Sequence, residues 1–375
     1  MEIIEAISDT NIGGAGVLLI TRLSSDEQMR KKTTVVLPRG SALVERLVEL
    51  GVRTIEADVC ADRSFQMSAI PKYVRIIRLI RPDIVNCHGN LSFRIAAFLC
   101  GVPVRIYTRH CTFPIPKWQR SRVARPIIGA CQCILSNGII AVADVVKDDL
   151  VTIGVPSEKV KIIINGVSGI QRLTEGEREK VRKSLSIPLD ATVVGIFARL
   201  EEYKGHTDLI EAASIMSDHS DKYRFLIVGS GSCEEQLKQM CREKEIADRV
   251  IFTGFAKDIT PLINITDINV NCSHGTETSS LSLSEGMSIG IPAVVSNYGG
   301  NPYMVEDGVN GFVYPVSDSL RLAYLLEKIA EDDRLRKIMS RNARRRFERE
   351  LNAEKMTEAT YDYYTQLRSV SFDAP

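Results

Sequence analysis

The sequence predicts an α/β protein built from two doubly wound parallel sheets. Its 375 residues exceed the roughly 100 to 200 typical of one domain, so two domains are expected. Short β-branched runs alternate with stretches of helical periodicity, a pattern typical of parallel strands joined by crossover helices. With 44% hydrophobic and 25% charged residues, the composition is that of a globular protein and excludes a disordered or fibrous chain.

The first series of strands and helices defines an N-terminal domain, expected over residues 1–168. Its helices carry apolar stripes and stop signals, as between Ser41 and Leu50, where Gly51 follows the last apolar residue. Seven short apolar runs predict its strands, at Ile3–Ile7, Thr34–Leu37, Arg53–Ala57, Asp83–Cys87, Pro103–Thr108, Ile139–Ala143 and Lys161–Ile164.

A second series predicts another doubly wound domain over residues 169–350. After a charged helix at Glu177–Leu185, strands are predicted at Thr192–Phe197, Arg224–Val228, Val250–Thr253, Asp267–Asn271 and Ala293–Ser296. Three helical stretches close the chain, at Leu320–Ala330, Leu335–Leu351 and Ala353–Leu367. We expect residues 351–375 to pack back on the N-terminal domain as a C-terminal helix. Two Rossmann-like domains facing a central cleft would place the carboxyl ends of their strands, and any ligand, in that cleft.

Charge is unevenly distributed along the chain. The net charge is +1, but residues 1–168 carry +7 and the remainder carries −6. Within residues 72–125, eleven lysines and arginines accompany a single acid, Asp83. This composition predicts a local positive field. Because no motif of a nucleic-acid-binding fold accompanies it, we expect no nucleic-acid partner.

A helix predicted over Trp118–Leu135 mixes basic and apolar side chains. It brings together Lys117, Arg120, Arg122 and Arg125 with Trp118, Val123, Ile127 and Ile128. Such a mixture suits the headgroups of anionic lipids, so residues 72–125 are a candidate for peripheral contact with a membrane. The alternative is a solvated helix whose apolar side packs on the sheet.

The sequence favours a cytoplasmic location. The N-terminal residues lack the basic region of a secretion signal. The uncharged run 126–143 contains several polar residues and predicts an amphipathic helix followed by a buried strand rather than a bilayer span. Nine cysteines without a Cys-x-x-Cys motif fit reduced thiols and no structural zinc. We therefore expect a cytoplasmic protein that is at most peripheral on the inner face of the membrane.

Two carboxylates that flank a loop-to-helix boundary form the strongest motif. Glu277 and Glu285 are separated by seven residues, with Ser279 or Ser280 placed to cap a helix that begins near Leu281. The first-turn amides and the dipole of such a helix suit a phosphate, and the carboxylates can accept hydrogen bonds from sugar hydroxyls. Ordinary helix capping with solvent-exposed glutamates is the alternative.

Two cations follow the predicted strand that ends at Phe197. Arg199 can bond bidentately to a phosphate, and Lys204 supplies a compact point charge. Fixed positive donors of this kind are what a departing diphosphate requires. The alternative is a pair of solvated loop charges.

A glycine-rich loop follows the first predicted strand. Gly13 and Gly14 allow the backbone to approach a ligand closely. The loop does not match G-x-G-x-x-G, so it does not indicate a dehydrogenase. An ordinary tight turn remains an alternative to a phosphate-binding loop.

Taken together, these motifs resemble the retaining glycosyltransferases of GT-B fold that are grouped as family 4. The resemblance covers nearly the whole chain and includes Gly13-Gly14, segment 104–110, the Arg199 and Lys204 pair, Glu277 with Glu285, and segment 290–311. It implies an enzyme that moves a sugar from a nucleotide diphosphate, expected to be UDP, to a surface-glycan or lipid-linked acceptor. It also implies retention of the anomeric configuration.

The resemblance assigns roles to individual residues. Arg199 and Lys204 would bind the donor diphosphate and support its departure, with Glu285 on the ribose and Glu277 near the donor sugar. Gly14 would approach the diphosphate from the opposite domain, and His110 would lie near the transferred sugar and the acceptor. The donor-binding set is Gly13, Gly14, Arg199, Lys204, Glu277, Ser279, Ser280, Leu281 and Glu285. The catalytic set is His110, Arg199, Lys204 and Glu277, and the acceptor side comprises His88, Arg109 and His110.

Two histidines could suggest a metal site. His88 and His110 both follow predicted strands, but no third ligand has a recognisable spacing and no Asp-x-Asp motif occurs. We therefore predict chemistry that needs neither a metal nor a cofactor, with the nucleotide sugar as a substrate.

Two positions depart from the family pattern. The usual Glu-Gly-Phe-Gly is Glu277-Thr278-Ser279-Ser280, and the usual glutamate after Gly-Gly-x-Pro is Tyr303. Two other functions stay open: a nucleotide-sugar epimerase of GT-B fold, and a non-catalytic subunit that binds a nucleotide sugar within a transferase complex.

Overall fold

A computed structural model describes residues 1–216 and 222–372, which form two compact units. One unit is Met1–Gly166 together with the chain from Ala353 onward, and the other is Val167–Asn352. The sequence-based division placed the two boundaries at 168 and 350. Residues 373–375 of the expected C-terminal segment lie outside the described residues.

The N-terminal unit contains a seven-stranded parallel sheet. Its strands are β1 (Ile3–Ile7), β2 (Thr33–Pro38), β3 (Arg53–Ala57), β4 (Ile84–His88), β5 (Val104–Arg109), β6 (Gly138–Ala141) and β7 (Val160–Ile162). They lie in the order β3-β2-β1-β4-β5-β6-β7. All five residues of β1 are buried, as expected for an interior strand of a sheet covered on both faces.

Helices cover both faces of this sheet. They are α1 (Gly14–Ser25), α2 (Glu27–Lys32), α3 (Leu43–Glu49), α4 (Ile70–Ile80), α5 (Leu91–Leu99), α6 (Ala124–Leu135) and α7 (Asp144–Thr152). The C-terminal helix Ala353–Phe372 belongs to this unit, and its Tyr364 is completely buried there.

The prediction of a single helix over Trp118–Leu135 is wrong. A short 3-10 segment spans Lys117–Arg120, and α6 begins only at Ala124. Ser121 is extended between them, and its hydroxyl accepts a hydrogen bond from the Ala124 amide at 3.1 Å. Pro126 explains the late start, because proline has no N–H to donate and is accepted only in the first turn of a helix.

The C-terminal unit contains a six-stranded parallel sheet. Its strands are β8 (Thr192–Phe197), β9 (Tyr223–Val228), β10 (Val250–Gly254), β11 (Ile268–Asn271), β12 (Ala293–Ser296) and β13 (Gly311–Tyr314), in the order β10-β9-β8-β11-β12-β13. The sequence-based assignment missed β13, a four-residue edge strand that pairs in register with β12.

The helices of the C-terminal unit pack over one large apolar cluster and two smaller ones. They are α8 (Glu175–Ser184), α9 (His206–Ile215), α10 (Glu234–Glu243), α11 (Thr260–Asn264), α12 (Leu281–Ser288), α13 (Asn301–Met304), α14 (Ser319–Glu331) and α15 (Asp333–Arg346), so that Ala353–Phe372 is α16. A π-helical turn, Phe347–Leu351, follows α15. Across residues 1–216 and 222–372, every helix is too short or too polar to cross a bilayer.

Candidate active site

The central strands of the C-terminal sheet create a topological switch point. β8 pairs with β9 on one side and with β11 on the other, so the crossover connections diverge between β8 and β11. In open α/β sheets, ligands bind at the carboxyl ends of strands beside such a point. Arg199 and Lys204 follow β8, and Glu277 follows β11.

The structure joins Lys204 to Glu277. The Lys204 Nζ donates to Glu277 Oε2 at 2.8 Å, and the two side chains are only 15% and 8% exposed. Asn271 and Ser273 donate to the same oxygen at 3.1 and 3.0 Å. Because an ammonium group has three N–H donors, the bond to Glu277 leaves donors for a phosphate oxygen.

Close backbone approaches at two glycines fix the positions of the loops that carry Lys204 and Glu277. Gly205 has φ +67°, and a Cβ atom there would lie 2.1 Å from the Cys272 carbonyl oxygen. A Cβ atom on Gly300 would lie 1.7 Å from the carbonyl oxygen of Thr278. A side chain at Gly205 would therefore push the Lys204 loop away from the end of β11, and one at Gly300 would displace the segment that carries Glu277.

Arg199 is positioned by Tyr203, which the sequence-based site did not include. The Arg199 Nη2 donates to the Tyr203 hydroxyl at 2.5 Å, and the Lys204 Nζ lies 5.6 Å from the centre of the same ring. The phenol thus lies between the two cations and limits their movement. The sequence feature that could have identified Tyr203 was its position four residues after Arg199.

The start of α12 lies beside the end of β8. Ser280 is the N-cap, and its hydroxyl accepts from the Leu283 amide at 3.4 Å. The Ser282 hydroxyl donates to the Phe197 carbonyl oxygen at 3.2 Å, which ties the first turn to the strand that precedes Arg199. The amides of Leu281 and Ser282 have no intrahelical acceptors, as in any first helical turn, and so can bind an anion.

The remaining predicted donor residues of this unit lie close to the same helix. Ser279 precedes the cap and its hydroxyl lies 3.9 Å from the Met304 sulfur. Glu285 is half-buried in the second turn, and burial raises the pKa of its carboxyl group to about 7. Tyr303, which replaces the usual family glutamate, donates from its hydroxyl to Glu350 at 2.9 Å.

In the N-terminal unit, the glycine-rich loop leads directly into α1. Gly13 is the N-cap and Gly14 is the first helical residue. A Cβ atom on Gly14 would have no neighbour within 4 Å, whereas one on Gly16 would lie 2.7 Å from Leu43. The surface beside Gly14 is therefore open to a ligand.

The two predicted histidines are in direct contact. His88 Nδ1 lies 2.7 Å from His110 Nε2, and the rings stack with centroids 5.0 Å apart. Burial first, and then the electrostatic influence of the neighbouring His88 ring and of Arg22, hold the pKa of His110 well below its usual value. His110 is therefore neutral near pH 7.

Arg109 is bonded to α7 and to its own loop, away from the histidine pair. Its Nη2 lies 3.0 Å from the Asp149 carboxylate on α7, and its Nε donates to the Cys111 carbonyl oxygen at 3.0 Å. Arg109 is 8% exposed. Its expected place on the acceptor side stays a prediction, and its contacts show a role in attaching α7 to the sheet.

Sequence reasoning missed a buried carboxylate beneath the histidine pair. Glu5 on β1 is completely buried, and its Oε2 lies 2.8 Å from His88 Nε2. Asn86 donates to the same oxygen at 2.9 Å, while Tyr364 and Arg22 donate to Oε1. The signal available in the sequence was an acid in the middle of an otherwise apolar strand.

No group of three or more His, Cys, Asp or Glu side chains suited to a metal ion was found in the part of the chain that the structure describes. Metal independence stays a prediction.

Two family models match the chain, one in each unit. The model described as Glycosyltransferase Family 4 matches residues 12–168, and the model described as Glycosyl transferases group 1 matches residues 177–346.

Named relatives align over most of the chain. The Escherichia coli UDP-Gal:alpha-D-GlcNAc-diphosphoundecaprenol alpha-1,3-galactosyltransferase is 25% identical over 315 residues, which cover 80% of each chain. The D-inositol 3-phosphate glycosyltransferase of Saccharomonospora viridis is 26% identical over 305 residues, 76% of this chain and 70% of its own.

Among solved structures, Anabaena HepE in complex with UDP superposes with a TM-score of 0.84 at 22% identity, covering 98% of this chain and 100% of its own. That similarity shows a GT-B fold, as the sequence predicted. The two family models together span most of the sequence, so this chain is a glycosyltransferase whose N-terminal unit matches Glycosyltransferase Family 4 and whose C-terminal unit matches Glycosyl transferases group 1.

Proposed function

We propose that this glycosyltransferase moves a sugar from a UDP-sugar to a glycan or lipid-linked acceptor, with retention of configuration and without a metal ion. The observation that carries the proposal is the convergence of Lys204, Glu277 and the start of α12 at the switch point of the C-terminal sheet. Solved structures of Anabaena HepE with UDP and with UDP-glucose, and the lipid-diphosphate acceptor in the name of the Escherichia coli relative, support the donor and acceptor classes.

The proposed chemistry is electrostatic. As the bond between the sugar C1 and the diphosphate oxygen breaks, negative charge grows on the diphosphate and positive charge grows on the sugar ring. Arg199, Lys204 and the first-turn amides of α12 stabilise the departing anion because they are already in place. The acceptor oxygen bonds to C1 on the face that the diphosphate leaves. The leaving phosphate takes the acceptor proton, and His110 orients the sugar.

A thermal-shift panel tests the donor class. The full chain is heated with UDP, GDP, ADP and their sugars, and a bound ligand raises the melting temperature by mass action. We expect UDP and one UDP-sugar to raise it and the ADP series to leave it unchanged. Stabilisation by another nucleotide would contradict the UDP assignment. A conversion of the UDP-sugar without acceptor, detected by NMR, would instead indicate an epimerase.

The raised pKa of Glu285 predicts a pH-dependent affinity for UDP. If the carboxylate accepts hydrogen bonds from the ribose hydroxyls, only its ionised form binds well, so affinity increases as pH rises through about 7. Between pH 6 and 8 we expect a gain of about 5- to 10-fold. UDP also titrates near this range, so the control is Glu285→Gln, measured by calorimetry at the same pH values. Equal pH profiles for the two proteins would contradict the role.

The N-terminal unit exposes a surface of mixed character, which we call the basic apolar surface. It comprises Phe113, Lys117, Trp118, Arg122, Val123, Arg125 and Ile127, all of them exposed. Trp118 and Val123 are 62% and 73% exposed, so these apolar side chains do not pack on the sheet. Of the eleven cations in segment 72–125, Arg94 and Arg109 are buried and contribute little to a surface field. We propose that the exposed part binds anionic lipid at the inner face of the cytoplasmic membrane.

Vesicle flotation tests the lipid contact. The chain is expected to float with phosphatidylglycerol vesicles at low salt and to be released at high salt, because exposed charges are screened. Reversing Lys117, Arg122 and Arg125 to glutamate should abolish flotation. Reversing three exposed cations of the C-terminal unit, Arg334, Arg341 and Arg345, is the matched control. Failure of the unaltered chain to float at any salt concentration would reject the contact.

A further inference from the structure

A line of three side chains connects the centre of the N-terminal sheet to His110. Glu5 lies on β1, His88 at the end of β4 and His110 directly after β5, and these three strands are neighbours in the sheet. Glu5 Oε2 lies 2.8 Å from His88 Nε2, and His88 Nδ1 lies 2.7 Å from His110 Nε2. Each ring nitrogen of His88 is therefore hydrogen-bonded, one to Glu5 and the other to His110.

The ionised Glu5 determines the direction of the hydrogen bond to His88, and for a neutral His88 ring that direction also fixes the bond to His110. Burial alone would raise its pKa, but Arg22, His88 and Tyr364 together hold the pKa below its usual value. An ionised carboxylate only accepts hydrogen bonds, so His88 Nε2 carries a proton and donates it to Glu5. In a neutral ring, His88 Nδ1 is then the acceptor, and the proton between the two histidines belongs to His110 Nε2.

The carboxylate that sets this order is held rigidly. Its Oε1 accepts from the Tyr364 hydroxyl at 2.8 Å and is paired with Arg22. Asn86 donates to Oε2 at 2.9 Å and accepts from the Thr108 hydroxyl at 2.8 Å. Two helices and two strands thus fix Glu5, and it cannot turn away from His88 without breaking other buried hydrogen bonds.

We propose that Glu5 and His88 are positioning residues that fix the tautomer and the ring orientation of His110 for sugar transfer. The proposal rests on the proposed function, because it takes His110 as the residue that orients the sugar. With Nε2 protonated toward His88, the unprotonated nitrogen of His110 is Nδ1, a hydrogen-bond acceptor. Neither Glu5 nor His88 needs to touch the substrate.

Two replacements of His88 separate positioning from a merely structural role. An asparagine amide can take the place of Nδ1 and still accept from His110, whereas a glutamine amide can take the place of Nε2 and still donate to Glu5. If His88 positions His110, His88→Gln should lower kcat by about 10-fold or more while His88→Asn stays within about 3-fold, with the KM for the donor unchanged in both. If His88 only satisfies Glu5, the order of the two variants is reversed.

Ring nitrogen chemical shifts of the full chain labelled with 15N report the tautomer directly. His110 is assigned by comparison with His110→Gln. We expect Nε2–H in the natural protein and in His88→Asn, and a mixture of tautomers in His88→Gln. Ile77→Ala, a core change in the same unit outside this network, controls for lost stability and should leave kcat unaltered. Equal kcat values in the two His88 variants, or an Nδ1–H tautomer in the natural protein, would overturn the proposal.

The two readouts also separate this proposal from the proposed function. If the natural protein transfers no sugar from any nucleotide sugar that stabilises it, the proposed function fails and the catalytic consequence fails with it. The tautomer of His110 in the two His88 variants then decides by itself whether Glu5 and His88 fix that ring.

Discussion

Alanine at Arg199 or at Lys204 is expected to lower kcat for sugar transfer by about 100-fold or more, which corresponds to about 3 kcal/mol of transition-state stabilisation. Each cation faces a charge that grows only as the diphosphate departs. Its loss should therefore reduce kcat more than it weakens the binding of the UDP-sugar. Steady-state kinetics with the donor identified by thermal shift, together with UDP affinity by calorimetry, separates the two effects.

The Lys204 variant needs a control for lost stability, because Lys204 also pairs with Glu277. Removing the ammonium leaves a buried carboxylate with only the neutral donors of Asn271 and Ser273. An unpaired buried charge destabilises a fold, and lost stability could be mistaken for lost catalysis. The double variant Lys204→Ala with Glu277→Gln removes that charge. It should recover the melting temperature and leave kcat low.

The Arg199 variant is controlled through Tyr203. Tyr203→Phe removes the hydroxyl that accepts from the guanidinium at 2.5 Å but keeps the ring beside both cations. Because the charge of Arg199 is retained, we expect a loss in kcat of less than about 10-fold. Normal turnover in both Arg199→Ala and Lys204→Ala would refute the electrostatic mechanism.

The sequence predicted the bounds of four strands, of which three are largely buried and one, β3, is a partly exposed edge strand. β1, β3, β8 and β12 have the bounds that their β-branched runs indicated. The sequence predicted two doubly wound parallel sheets but not the order of the strands within each sheet. The four-residue edge strand β13 was missed because so short a run carries little periodicity, and the helix over Trp118–Leu135 failed because its break depends on Ser121 and Pro126.

The placement of the proposed donor residues was predictable because each of them follows a strand or caps a helix. Arg199, Lys204, Glu277 and Ser280 are all recognisable from local sequence. The Glu5 network was not, since its partners are distant: His88 lies 83 positions away and Tyr364 lies 359 positions away. A buried acid in an apolar strand signals that partners exist, but only the folded chain shows which side chains supply them.

Glu5→Ala is expected to reduce the free energy of unfolding of the N-terminal unit by about 3–5 kcal/mol, the usual cost of breaking a buried ion pair from one side. Arg22 is 6% exposed, and it would lose the carboxylate with which it is paired. His88, Asn86 and Tyr364 would lose an acceptor as well. Urea unfolding followed by circular dichroism and by the fluorescence of Trp118, the single tryptophan and part of the same unit, measures the change.

The matched control is Glu2→Ala, at the start of the same segment. Glu2 pairs with Arg53 in solvent, where the two side chains are 44% and 56% exposed, so its loss should cost at most about 1 kcal/mol. Because the folded pKa of Glu5 lies below its unfolded value, the stabilisation it provides is present above about pH 4.5 and declines as pH falls further. The difference in stability between the natural protein and Glu5→Ala should therefore shrink in acid, whereas a loss caused by a cavity alone would not change with pH. A Glu5→Ala protein as stable as Glu2→Ala at pH 7 would show that the carboxylate is not ionised in the folded chain.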